Sequence, residues 1–266
     1  MYITNSQEVA KIAQNNGVDR IFIDLERNGK LLRQKGMNTV QSKHTLEDIA
    51  KVKSVLGSSE LIVRINSVYE GTKTEIDGAI DGGADIVMLP YFKTMEEVES
   101  FLSYVNGRVK TMLLMETVEA VDMLDTLVTM PVDYYHVGLN DLHLERKLKF
   151  MFELLSDGTV DKICRKLAAN NKEYGFGGIA KLGAGMLPAE NIIAEHYRLG
   201  SSCAILSRSF CNWEENAVDD VAKIFAEEMT KLRKYENFVS EQNQAFFINN
   251  QTETYEKIKD IARKMK

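Results

Sequence analysis

Leu113-Leu114-Met115-Glu116, read together with Val137-Gly138-Leu139-Asn140-Asp141, decides how the rest of this chain is organised. Each is an apolar run of the kind found in a strand buried on both faces, and each delivers a carboxylate where its apolar character stops. Neighbouring strands of a parallel barrel lie about 5 Å apart, so carboxylates at two C-terminal ends can reach a single cation. Two like charges buried together are costly without one, and the pairing therefore points to a hard-metal site at Glu116 and Asp141. Taken singly, each acid has a plainer explanation, Glu116 as the cap of the next helix and Asp141 as a loop residue.

Working outward, the same strand character recurs at Met1–Thr4, Arg20–Leu25, Leu61–Ile65, Asp85–Pro90, Lys110–Met115, Asp133–Leu139, Phe176–Ala180 and Cys203–Ser207. Helical spacing fills the gaps: Val9, Ile12 and Ala13; Ile49, Val52 and Val55; Ile76, Ala79 and Ile80; Val98, Phe101 and Val105; Val160, Ile163, Cys164 and Leu167. Thr94-Met95-Glu96-Glu97 has the form of a capping box, and Gly17, Gly57 and Gly200 stand where helices should stop. Eight strands alternating with helices, without a low-complexity linker, predict an α/β fold of the (β/α)₈ TIM-barrel type over residues 1–213. A doubly wound open sheet is the alternative. Beyond Trp213 the chain reads as helix only. Residues 214–266 exceed what one closing helix requires, and they are expected to pack on the barrel or on a partner subunit of a homo-oligomer.

Composition narrows the class. With 266 residues, 44% of them hydrophobic, the chain can bury one large core. A formal charge of −6 argues against a general nucleic-acid surface, which needs excess Lys and Arg. Cys164, Cys203 and Cys211 form no CxxC pair and suit a reducing compartment as packing residues. No N-terminal apolar leader and no run of about 18 apolar residues is present, so no membrane association and a cytoplasmic location are expected.

Several polar residues stand out against this frame. Arg64 ends an apolar strand and must either reach solvent or meet an anion, because its guanidinium stays charged. The basic segment from Arg27 to Lys43, with Lys30, Arg33 and Lys35, is longer than an ordinary connection. Residues 142–158 form a second excursion, read as an interface loop or a lid. His143 lies two residues past Asp141 and is an alternative ligand or base, whereas His136 and His196 read as structural. Lys181 follows the seventh strand, where a Schiff-base lysine could stand, and Ser207 and Arg208 end the eighth, where barrels often bind phosphate.

The run Gly17-Val18-Asp19-Arg20-Ile21-Phe22-Ile23-Asp24-Leu25-Glu26, then Val63-Arg64, Gly83-Ala84-Asp85 with Leu89-Pro90, Met115-Glu116 and Asn140-Asp141-Leu142 resembles the metal-dependent 2-oxo-acid aldolase and citrate lyase β-subunit family. The similarity spans roughly Gly17 to Phe210. It implies a pyruvate-type barrel with a divalent ion, Mg²⁺ or Mn²⁺, on Glu116 and Asp141. It also implies that Arg64 binds the carbonyl oxygen of a 2-oxo acid, with Gly138, Asn140 and Asp141 at the substrate. The family's Asp-x-Glu-His becomes Asp24-Leu25-Glu26-Arg27 here, but His44-Thr45-Leu46-Glu47-Asp48 matches the stretch beginning at that histidine if residues 27–43 are an insertion. His44 is then the acid/base, and Asp81 falls where an aspartate steadies it. Gly138-Leu139 replaces the usual Gly-Pro before the metal aspartate.

The chemistry follows from these residue types. Two carboxylates leave much of an octahedral shell for water and a chelating 2-oxo carboxylate. Carbon–carbon cleavage beside the oxo group generates an enolate oxygen that needs a counter-charge, supplied by the metal and Arg64, while a near-neutral histidine takes the proton from the substrate hydroxyl beyond the breaking bond, whose carbon leaves as the aldehyde. The expected function is thus a metal-dependent carbon–carbon lyase. A citryl- or malyl-CoA type acyl-CoA lyase and a non-catalytic metabolite-binding barrel are the alternatives.

Overall fold

The computed structural model of the chain describes residues 1–28 and 43–265. Lys30, Arg33 and Lys35 of the basic segment lie outside the described residues. Eight parallel strands close into one barrel in chain order: β1 (Tyr2–Ile3), β2 (Arg20–Asp24), β3 (Glu60–Arg64), β4 (Ile86–Leu89), β5 (Lys110–Met115), β6 (Tyr134–Val137), β7 (Glu173–Ile179) and β8 (Cys203–Leu206). This is the (β/α)₈ architecture that the alternation predicts. The chain divides into two compact units, Met1–Tyr135 and His136–Lys266.

In the first unit the helices are α1 (Gln7–Asn15), α2 (Leu46–Lys53), α3 (Thr72–Asp81), α4 (Met95–Val105), α5 (Val118–Asp122) and α6 (Leu124–Leu127). The register of β2 on β3 sets Ile21, Phe22 and Ile23 opposite Leu61, Ile62 and Val63, all six fully buried. Truncating one such side chain to Ala typically costs about 2–5 kcal/mol. α4 begins where the sequence places it: Thr94 Oγ1 accepts the Glu97 N–H at 3.3 Å, and the Glu97 carboxylate accepts the Thr94 N–H at 3.0 Å.

The second unit holds α7 (Leu139–Glu145), α8 (Glu153–Ser156), α9 (Thr159–Ala169), α10 (Ala189–Leu199), α11 (Val218–Ser240) and α12 (Gln244–Lys264). Residues 142–158, anticipated as an excursion, are folded instead. They carry most of α7 and all of α8, with Leu142, Phe150, Phe152, Leu154 and Leu155 buried. The helices there are too short to imprint a 3.6-residue period on the sequence. At β7 the strands approach so closely that a Cβ on Gly175 would stand 2.1 Å from the Cys203 carbonyl oxygen, so only glycine fits. α12 packs on α10 and α8 through a face spaced every fourth residue, Asn250, Thr254, Ile258 and Ala262, all buried. Beneath that face Glu195 of α10, with no exposed surface, accepts two bonds from Arg198 at 2.9 and 2.7 Å and one from Asn250 Nδ2 at 3.1 Å. None of the cysteines is in a disulfide. Among the described residues no helix is long and apolar enough to cross a membrane.

Candidate functional site

The ends of β2 and β3 carry complementary charges in register. At their starts Arg20 Nε meets Glu60 Oε2 at 2.9 Å, and at their ends Arg64 faces Asp24. The Arg64 fork is bidentate: Nε donates to Asp24 Oδ1 at 2.9 Å and a terminal nitrogen to Oδ2 at 2.7 Å. Glu26 Oε2 lies 3.5 Å from Arg64 Nε, with its side chain fully shielded from solvent. Burial alone pulls the guanidinium pKa down, but the charges of Asp24, Glu26 and Glu116 outweigh it and hold it above its ordinary value. Three carboxylates thus act on one guanidinium.

His44 is brought to the same strand end. It is buried, and its Nδ1 accepts the backbone N–H of Asp24 at 3.0 Å, which fixes the ring hydrogen of the neutral imidazole on Nε2. Arg27 donates from its guanidinium to the His44 carbonyl at 2.8 Å, so the two ends of the 27–43 segment are tied together, as the ends of an insertion must be. Asn66, just beyond β3, clamps this exit. Its Oδ1 accepts the N–H groups of Arg27 and Asn28 at 2.8 and 2.9 Å, and its own N–H and Nδ2 donate to Glu75 at 3.1 and 2.6 Å. Burial raises the Glu75 carboxyl above its usual range, and the Asn66 bonds offset only part of that.

Glu116 stands at the end of β5, 4% exposed. Its Oε1 accepts the N–H of Tyr91 at 3.2 Å, and Tyr91 holds a left-handed backbone with φ 47° in the connection after β4. Thr117 anchors the next residue: its hydroxyl caps α5 by accepting the Ala120 N–H at 3.1 Å and donates to the Phe92 carbonyl at 2.8 Å. Glu116 is therefore a strand-end acid oriented by a neighbouring loop, whereas the capping role falls to Thr117.

In the second unit Gly138 is the N-cap of α7, and Asp141 lies in its first turn, 6% exposed. A carboxylate there is favoured by the N-terminal partial charge of the helix. Asn140 is exposed beside it. His143 is buried and its Nδ1 lies 3.1 Å from the Leu139 carbonyl, which as a donor leaves Nε2 as the acceptor. His136 Nε2 lies 3.1 Å from the Gly177 carbonyl. His196 stacks on Phe176 at 3.8 Å and contacts Ser201 Oγ at 2.7 Å; burial first, then the nearby His136, pulls its pKa down to about 3. Lys181 and Arg208 are exposed.

Asp81 does not join the Arg64 cluster. It ends α3 exposed to solvent, and four residues later the Asp85 N–H bonds the Leu61 carbonyl, at the opening of β3. Because α3 runs back along β3, its last residue lies a strand's length from Arg64, which closes β3, and cannot steady His44 within this chain. Sequence reasoning also missed Asp24 as the Arg64 partner, the Asn66–Glu75 clamp and the Tyr91 N–H on Glu116. For Asp24 a signal was available in the mirrored termini of Arg20–Asp24 and Glu60–Arg64. Among the described residues no group of three or more His, Cys, Asp or Glu side chains could hold a metal.

The sequence profile of the family described as HpcH/HpaI aldolase/citrate lyase matches residues 1–151. Among solved structures the chain is similar to an HpcH/HpaI aldolase from Desulfitobacterium hafniense DCB-2 at 15% identity, covering 91% of this chain and 93% of that one with a TM-score of 0.53. It is similar to the citrate synthase SbnG at 14% identity, covering 89% and 93% of the two chains with a TM-score of 0.58. A mandelate oxidase variant carrying a monooxide FMN adduct follows at 17% identity, covering 88% and 69% with a TM-score of 0.59. At these identities the structural likenesses carry the barrel fold and nothing finer. No curated protein sequence matches the chain.

Proposed function

The chain belongs to the HpcH/HpaI aldolase/citrate lyase family, and from that premise we propose that it is a metal-dependent carbon–carbon lyase acting next to a pyruvate-like 2-oxo acid, with an aldehyde as the second partner. The observation that supports this best is the gathering of buried carboxylates at strand ends of the first unit, where Asp24, Glu26 and Glu116 all act on the guanidinium of Arg64. Carboxylates gathered and buried together are the donors a hard cation takes, and a strand-end carboxylate such as Glu116 is suited to Mg²⁺ or Mn²⁺. Asp141, buried in the first turn of α7, is the second proposed ligand, argued from its own surroundings and from the family resemblance.

A divalent ion held by such residues supplies Lewis acidity for the negative charge that develops on a substrate oxygen. Arg64, fixed by Asp24, offers a guanidinium whose orientation is set before substrate arrives, so no reorganisation is needed when that charge appears. His44, with Nδ1 engaged by the Asp24 N–H, presents Nε2 as the atom that exchanges a proton with the hydroxyl of the aldehyde-derived partner. Gly138 and Asn140, at the start of α7, are the further residues proposed to bind substrate.

The test is Mn²⁺-dependent decarboxylation of oxaloacetate, which reports formation of an enolate. Glu116→Gln and Asp141→Asn should each lower it by about 10²-fold or more while leaving the fold intact. They should also abolish Mn²⁺ binding seen by water-proton relaxation. Full turnover in EDTA refutes the metal reading. Stabilisation by acetyl-CoA but not by pyruvate or oxalate would move the assignment to an acyl-CoA lyase.

A further inference from the structure

One residue of the first unit holds a strained backbone shape beside the acid on which the lyase reading depends. Tyr91, in the connection between β4 and α4, has φ 47°, in the left-handed region that a residue with a Cβ seldom enters. Asn106, Lys147 and Asn171 share that sign among the described residues, but each follows directly on the end of a helix, α4, α7 or α9, where a left-handed residue is an ordinary stop. Tyr91 ends no helix. It follows a strand and precedes a helix, so its conformation needs another reason.

That reason is visible at the end of β5. Tyr91 donates its N–H to Glu116 Oε1 at 3.2 Å. The next residue is tied to the same strand end, since the carbonyl of the fully buried Phe92 accepts the Thr117 hydroxyl at 2.8 Å. Lys93 closes the connection: its N–H bonds the Glu97 carboxylate at 2.6 Å, and its ammonium lies 5.1 Å from the centre of the Tyr91 ring and 3.2 Å from Glu119 of α5. A strained backbone persists only where its surroundings over-determine it, and here three successive residues are each anchored. With Phe92 and Lys93 fixed, relaxing Tyr91 to a negative φ requires the Pro90–Tyr91 peptide to rotate, and its N–H then leaves Glu116.

We propose that Tyr91 is a positioning residue whose left-handed backbone holds the Glu116 carboxylate in the rotation that takes a divalent cation, so that losing this backbone shape, and not the tyrosine ring, is what weakens the cation site. The inference rests on the lyase reading for the cation.

Two variants of the full chain separate backbone from ring. Tyr91→Gly discards the ring but enters the left-handed region freely, whereas Tyr91→Val keeps an apolar side chain whose branched Cβ opposes it. In Mn²⁺ titrations followed by water-proton relaxation, the glycine variant should bind at least about tenfold more tightly than the valine variant, the reverse of the order that ring packing would give. Tyr91→Ala should fall between them, which keeps the comparison decisive if Tyr91→Val folds poorly. In metal-free buffer the Tyr91 amide should exchange its hydrogen at least about tenfold faster in Glu116→Ala than in the parent. Mn²⁺ binding by the parent with the glycine variant equal to or weaker than the valine and alanine variants overturns the proposal alone, as does amide exchange that ignores Glu116→Ala. No Mn²⁺ binding by the parent overturns the lyase reading and the cation role of Tyr91 together.

Discussion

Removing the Arg64 guanidinium probes the electrostatics of the first unit directly. Arg64→Met keeps an unbranched apolar stem but leaves Asp24, Glu26 and Glu116 buried without the cation that now acts on all three. The pair that breaks is well shielded, with 13% of the Arg64 side chain and 6% of that of Asp24 exposed. Breaking a buried pair by deleting one partner costs about 3–5 kcal/mol, because the charge left behind is uncompensated. At about 2–4 °C per kcal/mol for a chain somewhat under this length, the melting temperature should fall by about 6–20 °C. The loss is a charge effect, so Arg64→Lys, which keeps the charge without the bidentate fork, should lose less than Arg64→Met. Asp24→Asn in the same background should restore part of the loss, with a coupling of about 1–3 kcal/mol between the two sites. Differential scanning calorimetry in metal-free buffer measures all of this. A melting temperature for Arg64→Met within about 2 °C of the parent, or an equal loss in Arg64→Lys, refutes the reasoning.

Three further outcomes follow from the same geometry. His44→Asn retains an acceptor for the Asp24 N–H and should be more stable than His44→Ala by about 1 kcal/mol, yet both should lose about 10²–10⁴-fold in kcat; a kcat for His44→Asn equal to the parent's would remove His44 from proton transfer. Glu75 has a carboxyl raised by burial, so its charged form weakens the fold above that raised value and the strain is relieved as pH falls through it. The stability of Glu75→Gln relative to the parent should therefore be most favourable near neutrality and decline towards about pH 4.5, as urea titrations at several pH values would show. For His196 the folded pKa of about 3 lies below the ordinary 6.5, so stability is lost as pH falls from about 6.5 towards 3, amounting to about 2 kcal/mol at pH 5. His196→Gln should flatten that limb, and an unchanged acid limb would show that the ring is not held neutral.

What was legible in the sequence and what was not divide along a physical line. Strands buried on both faces announce themselves as unbroken apolar runs, which is why the positions of β2, β3, β5 and the barrel itself could be read from composition along the chain. Backbone donors leave no such mark: nothing in the side chain of Tyr91 declares that its N–H is turned onto Glu116 by a left-handed φ, and Asn66 and Glu75 are ordinary polar residues until β3 and α3 bring them together. The Arg64 role lies between these cases. Its need for an anion was readable, and the register that answers it was encoded in Arg20-Ile21-Phe22-Ile23-Asp24 against Glu60-Leu61-Ile62-Val63-Arg64, two runs with opposite charges at both ends. That pairing changes what Arg64 can do. Its Nε and one terminal nitrogen are already bonded to Asp24, so it cannot meet a substrate carboxylate with its full bidentate fork. Asp24, Glu26 and Glu116 all act on the charge it brings. An anionic 2-oxo acid entering beside those carboxylates is helped by any positive charge that comes with it or is already held there. The proposed divalent ion thus answers two needs at once, neutralising the buried carboxylates and admitting an anionic substrate, and substrate binding should accordingly require the metal even where no chemistry follows. Calorimetry with oxalate makes that separable from turnover: binding in Mn²⁺ buffer that vanishes in EDTA supports the argument, and equal binding in both defeats it.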